Sequence, residues 1–394
     1  MNLPENFTLL VKPVGPDCNL DCSYCFYLHK SELFPAGKHI MQTAIVEEMY
    51  NQIANMPVKN FSLTFQGGEP ALAGREFYEN ALKTHKKIAP HKNIAYSFQT
   101  NGLLIDDDWA KFLKTGDFLV GLSIDGPEHI HNKYRKFKNG RGSFNEVMRG
   151  LAYLMKNQVP VNAMCCLTDY SALFPDEIYD FYKSLGVDWL QFIPVVERDR
   201  HDSGKAADFS LSDKDYGDFL IGIFEKWLSD FKDGVPTVHI KYFESIFYTY
   251  LNLSPPDCTM GKNCGVYLVV EHNGDVYSCD FFVEPDRKLG NIMNDRLEDI
   301  FHSSRHLNFG KQKSHLPEKC TKCAYSKNCF GGCIKDRMND PLDNKNPRYC
   351  HSFLRFMKVA DPVFEKLALD WRKKYASSAG IKFDHDSYDA SDNF

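Results

Sequence analysis

Over roughly the first 235 residues, short β-rich apolar runs alternate with segments whose apolar positions recur at helical spacing. The runs fall at residues 7–11, 61–65, 94–98, 118–124, 159–167 and 189–196, and the helix-period segments at 42–56, 75–89, 106–114, 143–157 and 174–185. Strands alternating with helices of this length predict βα units and a parallel sheet. Six units make a partial (β/α)6, TIM-like barrel, two short of a closed eightfold one. In such folds functional groups collect in the loops after the C-terminal strand ends, so the residues following each strand are where chemistry is expected.

Beyond the barrel the pattern changes. Helical periodicity continues at 213–232 and 240–251, and after Pro255-Pro256 the chain becomes loop-rich and Cys-rich. A hairpin is predicted from 267–272 and 275–279, with Asn273-Gly274 as a type I′ turn. A helix is expected at 296–304 and another at 352–375. The expected domains are a barrel at 1–236, a Cys-rich α/β domain at 237–375 with the hairpin and C-terminal helices, and a flexible tail at 376–394, which is polar and acidic.

Charge and composition narrow the class. A formal net charge of −5 gives no field suited to nucleic acid. Apolar runs far shorter than ~18 residues predict no membrane span, and the N-terminus has no secretory pattern. Thirteen cysteines, an odd number in a long chain, point to metal or redox sites in the cytoplasm rather than to disulfides.

Cys18, Cys22 and Cys25 follow the first strand as CxxxCxxC. Three thiolates cannot close a structural zinc site or a four-iron cluster, each of which takes four ligands. They could be part of a zinc site completed from elsewhere, or a cluster with one open iron. Tyr24 lies within the triplet and Phe26-Tyr27 after it, offering shielding and a face for a flat ligand. Gly67-Gly68-Glu69-Pro70 follows the second strand, where adjacent glycines permit close backbone approach and the carboxylate suits an ammonium. Gln99-Thr100-Asn101-Gly102 and Ser123-Ile124-Asp125-Gly126 end two further strands; each alone reads as a turn, together as one mouth.

These residues resemble the radical S-adenosylmethionine (SAM) superfamily. The resemblance implies a [4Fe-4S] cluster on Cys18, Cys22 and Cys25, with SAM on the open iron. It implies Tyr24 near the adenine, Gly68 and Glu69 on the methionyl amine, and Ser123 at the ribose or carboxylate. Val196 would line the adenine pocket and Arg135 would pair with the carboxylate.

The C-terminal half supplies Cys258, Cys264, Cys279, Cys320, Cys323, Cys329, Cys333 and Cys350, enough for two closed four-Cys sets of zinc or iron–sulfur type. Their spacing resembles the SPASM extension of peptide-modifying radical SAM enzymes. That implies one auxiliary [4Fe-4S] cluster on Cys258, Cys264, Cys279 and Cys333, and a second on Cys320, Cys323, Cys329 and Cys350. Three clusters would use 11 of the 13 cysteines, leaving Cys165 and Cys166 in an apolar strand as packing residues.

Within this group the chain resembles the anaerobic sulfatase-maturating enzymes, in Leu10-Val11-Lys12-Pro13, the CNLDCSYCFY and FQGGEPALAG stretches and VVEHNGDVYSCDFFV. The resemblance implies oxidation of a Cys or Ser in an unfolded or nascent sulfatase peptide (Cys/Ser-x-Pro/Ala-x-Arg) to Cα-formylglycine. It also implies a low-potential donor such as flavodoxin or ferredoxin, and Asp280, adjacent to Cys279, as general base. Two alternatives use the same cysteines. One is another SPASM maturase, such as a thioether-forming enzyme, although only 17 residues precede Cys18, leaving no expected room for a separate peptide-binding domain. The other is a non-catalytic iron–sulfur carrier or zinc scaffold, which has no use for an open iron.

Overall fold

The structure, a computed structural model, describes residues 3–375 apart from 200, 203 and 341–345; the tail expected at 376–394 lies outside the described residues. Its first half runs β1 (Asn6–Lys12), α1 (Thr43–Asn55), β2 (Asn60–Phe65), α2 (Arg75–Ile88), β3 (Asn93–Thr100), α3 (Asp107–Thr115) and β4 (Phe118–Ser123). Then come α4 (Glu128–Tyr134), α5 (Phe144–Lys156), β5 (Val161–Leu167), α6 (Pro175–Ser184) and β6 (Trp189–Pro194). All six strands are parallel neighbours in chain order, with Phe7 opposite Phe61 and Phe61 opposite Ile94. Alternation along β1 sends Phe7, Leu9 and Val11 into the core, where the stripe Ile45, Val46, Met49, Tyr50 and Ile53 of α1 is also buried. Polar caps start the helices: Asp106 accepts from the Trp109 amide before α3 (2.8 Å).

The partial barrel is extended at both edges. After α7 (Asp213–Ser229), β7 (His239–Ile240) adds beside β6 and leads into α8 (Lys241–Tyr250). The hairpin strands β8 (Leu268–Glu271) and β9 (Asp275–Tyr277), with β10 (Gly290–Asn291), add on the other side. Because β8 runs parallel to β1, with Lys12 opposite Glu271, the Cys-rich segment grows out of the barrel's own sheet. The ten strands form one open sheet in the order β10-β9-β8-β1-β2-β3-β4-β5-β6-β7.

Three local expectations need correction. The hairpin turn is not type I′, which needs positive φ at both central residues; only Gly274 has it (φ 86°). The Gly274 amide bonds the Glu271 carbonyl (2.8 Å), giving a three-residue loop that ends on a left-handed glycine. The helix expected at 296–304 is two, α9 (Leu297–Phe301) and α10 (Ser304–Gln312), because Ser303 is extended and its hydroxyl caps the second. Periodicity also missed α4, which is too short to show an apolar stripe.

The remaining helices are α11 (Glu318–Thr321), α12 (Ser326–Cys329), α13 (Ile334–Asn339) and α14 (Cys350–Tyr375). Helix α14 returns to the barrel along α7. Gly217 permits this approach, since a Cβ there would stand 3.1 Å from the Ser352 Cα. Phe356 and Phe364 of α14 pack on Phe224 of α7. Cys350 is therefore the first residue of a helix fixed to the barrel wall.

Candidate active site

The loop after β1 is folded by the strand ends around it. Leu20 is buried, and the amides of Asp21 and Ser23 donate to the carbonyls of Lys136 (2.8 Å) and Tyr134 (3.2 Å). Asn101, at the end of β3, donates to Asn19 Oδ1 (2.7 Å) and approaches Cys18 Sγ at 3.8 Å. The Gly67-Gly68 turn is pressed against the same loop: a Cβ on Gly68 would lie 1.9 Å from the Asp17 carbonyl oxygen. The Gly68 and Glu69 amides donate to Gly15 (2.8 Å) and Asp17 (2.7 Å), just ahead of Cys18. The second glycine is thus a requirement of close backbone packing beside the triplet.

Glu69 is 1% exposed and accepts from Ala71 N (2.9 Å), Thr100 Oγ1 (2.7 Å) and Asn101 N (2.7 Å). Two of these bonds fall on Oε1 and one on Oε2, so a carboxylate with about four acceptor sites keeps one for a further donor. Burial raises its pKa, opposed by these hydrogen bonds.

A buried trio lies behind the triplet. Tyr24 donates to Asp125 Oδ2 (2.5 Å) and accepts from Arg135 Nη1 (2.8 Å). The Asp125 amide donates to His131 Nδ1, so the neutral ring carries its proton on Nε2, toward the Ser143 hydroxyl (3.0 Å), which in turn donates to the Arg135 carbonyl. Arg135 is 6% exposed and its Nε finds no acceptor, leaving a buried N–H beside the triplet. Ser123 accepts from Gln99 (2.9 Å), whose side chain needs the missing Cβ of Gly121. Val196 is fully buried and its carbonyl accepts from Lys335 Nζ (2.6 Å). The structure thus gathers Tyr24 and Arg135 into one hydrogen-bonded group with Asp125, and the spacing gave no signal for Asp125 as its anion.

Asp280 reaches the same mouth from the hairpin. Its Oδ2 accepts from Gln66, the residue after β2 (2.9 Å), and its Oδ1 from the Tyr267 hydroxyl (2.9 Å). Phe281 meets Phe26 of the triplet loop at 4.5 Å between centroids. The carboxylate beside Cys279 is therefore held against the loop carrying Cys25. Gln66 and Tyr267 escaped the sequence reading, although both sit next to residues it singled out.

None of the 13 cysteines is paired in a disulfide. Cys165 packs in the core, and the Cys166 amide donates to Asp125 Oδ1 (3.0 Å). The eight C-terminal thiols form two neighbourhoods. Cys258 is electrostatically coupled to Cys264, and Cys333 to Cys258 and Cys279. Cys320 is coupled to Cys350 and Cys323, and Cys329 to Cys350 and Cys320. Burial pushes Cys18 up to about 12, with Glu69 adding to it, and Cys22 to about 11 despite Arg135. Thiols so placed ionise when a metal takes the charge, which makes these donor sets fit metal-bound thiolates. Among the described residues no three His, Cys, Asp or Glu side chains are gathered to hold a single metal ion.

A three-thiol loop at the C-terminal mouth of a parallel partial barrel, joined to a lobe with two thiol sets, defines a radical SAM enzyme with a SPASM extension. The sequence matches the Radical SAM superfamily over residues 13–185 and the SPASM iron-sulfur cluster-binding domain over 258–324. The chain belongs to the anaerobic sulfatase-maturating enzymes. It is 40% identical to the serine-type enzyme of Bacteroides thetaiotaomicron over 355 residues, 86% of this chain and 84% of that one. It is 37% identical to the cysteine-type enzyme of Clostridium perfringens over 359 residues, 90% and 96% of the two chains. The solved structure of native anSMEcpe with bound AdoMet and Cp18Cys peptide superposes with a TM-score of 0.85 at 35% identity, covering 93% of this chain and 99% of that one. No helix among the described residues is long and apolar enough to cross a membrane.

Proposed function

We propose that this enzyme oxidises a Cys or Ser side chain of a sulfatase peptide to Cα-formylglycine, with Asp280 as general base. The supporting observation is Asp280 itself: it follows Cys279 yet is held at the barrel mouth by Gln66, beside the loop of Cys18, Cys22 and Cys25.

Cys18, Cys22 and Cys25 would hold a [4Fe-4S] cluster with one iron open to SAM. When bound, these groups would supply the radical chemistry that takes a hydrogen atom from the target Cβ. Glu69 keeps an acceptor site for the methionyl amine, and Arg135 Nε–H is a buried donor for an anionic partner such as the carboxylate. Tyr24, tied to Arg135 and Asp125, fixes the aromatic surface on which the adenine would lie, with Ser123 and Val196 completing the pocket.

Asp280 accepts one hydrogen bond on each oxygen, which orients the carboxylate and leaves lone pairs for the substrate's thiol or hydroxyl proton. Loss of that proton and one electron turns the carbon radical into a thioaldehyde or aldehyde, and water converts the former to the latter. The electron would pass to auxiliary [4Fe-4S] clusters on the two C-terminal sets. A flavodoxin or ferredoxin would supply the initiating electron, and the cytoplasm is the compartment in which these thiols stay reduced.

The test is Asp280→Asn on iron-loaded enzyme given Cys-x-Pro-x-Arg and Ser-x-Pro-x-Arg peptides. Aldehyde should fall at least about 100-fold, while deoxyadenosine release and iron content persist. Undiminished aldehyde in the mass spectrum would remove Asp280 from the base role. A product that has lost two hydrogens, kept its sulfur and resists hydrolysis to the aldehyde would instead identify a thioether-forming maturase.

A further inference from the structure

Two buried cations lie at the junction of the two C-terminal thiol sets. Lys313, fully buried, donates through Nζ to the carbonyls of Thr259 (2.8 Å) and Gly261, on the loop between Cys258 and Cys264. Arg337, on α13 one turn after Cys333, is 6% exposed. Its Nη2 donates to the Lys313 carbonyl (3.0 Å) and its Nη1 reaches the His315 carbonyl (3.5 Å). The two residues therefore brace each other and the strip that leads to Cys320.

The third face of the guanidinium is open. Arg337 Nε is buried and has no acceptor in the protein. An unpaired buried N–H costs about 1–3 kcal/mol, so such a donor usually serves something that occupies the site. The ionisable neighbours of Arg337 are thiols of both sets: Cys264 and Cys333 of one, Cys320 and Cys329 of the other. Carboxylates also flank the first set, with Asp257 near Cys258, Asp280 near Cys279 and Asp336 near Cys333. Without a cation in that environment, adding an electron to the group held there would be disfavoured.

We propose that Arg337 is a positioning residue for electron uptake, placing a fixed positive charge between the two auxiliary centres and offering Nε–H to a sulfur of one of them. This rests on the reading that the two thiol sets hold iron–sulfur clusters. Cluster potentials respond to net charge, to hydrogen bonds on sulfur and to solvent exposure, and Arg337 supplies the first two in a dry site. Arginine suits the task because its charge does not titrate and its planar fork can be tethered on one side while donating on the other. The electron concerned is the one released when Asp280 takes the substrate proton; it reduces an auxiliary centre by one equivalent.

The experiment is a spectroelectrochemical titration of iron-loaded enzyme, without peptide, for wild type, Arg337→Gln and Arg337→Lys. Arg337→Gln should make reduction of the auxiliary centres at least tenfold less favourable, about 59 mV for a one-electron couple. The Cys18/Cys22/Cys25 centre should keep its potential. Arg337→Lys, which retains the charge and loses the fork, should stay within threefold of wild type. Unchanged auxiliary potentials in Arg337→Gln with full iron content overturn the assignment. If Arg337→Gln cannot hold auxiliary iron, Arg337→Lys decides. Loss of iron there too makes Arg337 a structural clamp and ends the redox role, whereas retention with near-native potentials supports it. Peptide oxidation is assayed separately, so a failure of the proposed function does not mimic a failure here.

Discussion

The barrel mouth and the thiol lobe both gather cysteines, but by opposite means. At the mouth, residues as far apart as Tyr24 and Asp125 meet because parallel register brings their strand ends together. The scaffold is a continuous ladder, and Tyr24, Asp125, His131 and Arg135 are tied to one another at its mouth. In the lobe, α11 and α12 are four residues each, and the loop from Cys329 to Cys333 carries three consecutive positive-φ residues, Phe330 (44°), Gly331 (73°) and Gly332 (65°). Phe330 is not glycine, and a left-handed conformation there is unfavourable unless its surroundings impose it. Regular secondary structure shapes the first site; the second needs its occupant.

Removing the occupant should break the comparison most visibly. Binding to closed metal sites in small lobes contributes on the order of 10 kcal/mol, and that energy is folding energy. Stripping iron and sulfide should therefore unfold the lobe while leaving the sheet intact. Hydrogen exchange should lose protection by about 100-fold or more across 258–264 and 313–340. Exchange at 61–65 and 94–98 should change little. Uniform loss of protection in both regions would show that the lobe and the barrel form one cooperative unit, joined through β8 on β1.

The complementary perturbation acts on the barrel alone. Glu69→Ala leaves three buried donors, Ala71 N, Thr100 Oγ1 and Asn101 N, without an acceptor. At about 1–3 kcal/mol each, with partial relaxation, the loss should be roughly 3–5 kcal/mol, read by chemical denaturation under anaerobic conditions. Iron bound to the eight C-terminal thiols should be unaffected. If the variant loses auxiliary iron instead, the two regions are coupled more tightly than their architectures suggest.

The same contrast governs what could be read from sequence. Helix and strand periodicities gave the six βα units almost residue for residue, because each element buries one face at a fixed period. The triplet and Gly68 were legible for a related reason: ligand number and the missing Cβ are chemical necessities that leave a residue signature. Gln66, Tyr267 and Arg337 left none, and Asp125 showed only as part of a polar strand end, without its role as the anion. Each becomes functional through a partner far away in sequence, and a lone Asp or Arg in a loop looks the same whether paired or solvated. Arg135 was picked out only by resemblance, although its bond to Tyr24 and the His131–Ser143 relay are what hold it. The three-residue hairpin loop was missed because Asn-Gly also closes loops in which a type I turn is followed by a left-handed glycine.

The smallest expected effect tests whether the lobe holds its charges under strain. Asp336, on α13, has a side chain only 16% exposed. Its pKa is raised to about 6 by burial; Glu197 adds to the shift, and Lys335 and Arg348 oppose it. A carboxyl whose folded pKa exceeds its unfolded one near 3.8 contributes stability that is fully present below about pH 4 and is lost as pH rises through about 6. Between pH 5 and 7.5 the iron-loaded protein should lose about 1 kcal/mol by this route, measured as the shift of a denaturation midpoint. Asp336→Asn removes the titration, so its curve should lack that part of the slope and cross the wild-type curve toward greater relative stability at high pH. An identical slope in both proteins would mean that Asp336 is fully compensated by Lys335 and Arg348. The lobe's charges would then be as thoroughly satisfied as those of the barrel, and the contrast between the two regions would rest on backbone geometry alone.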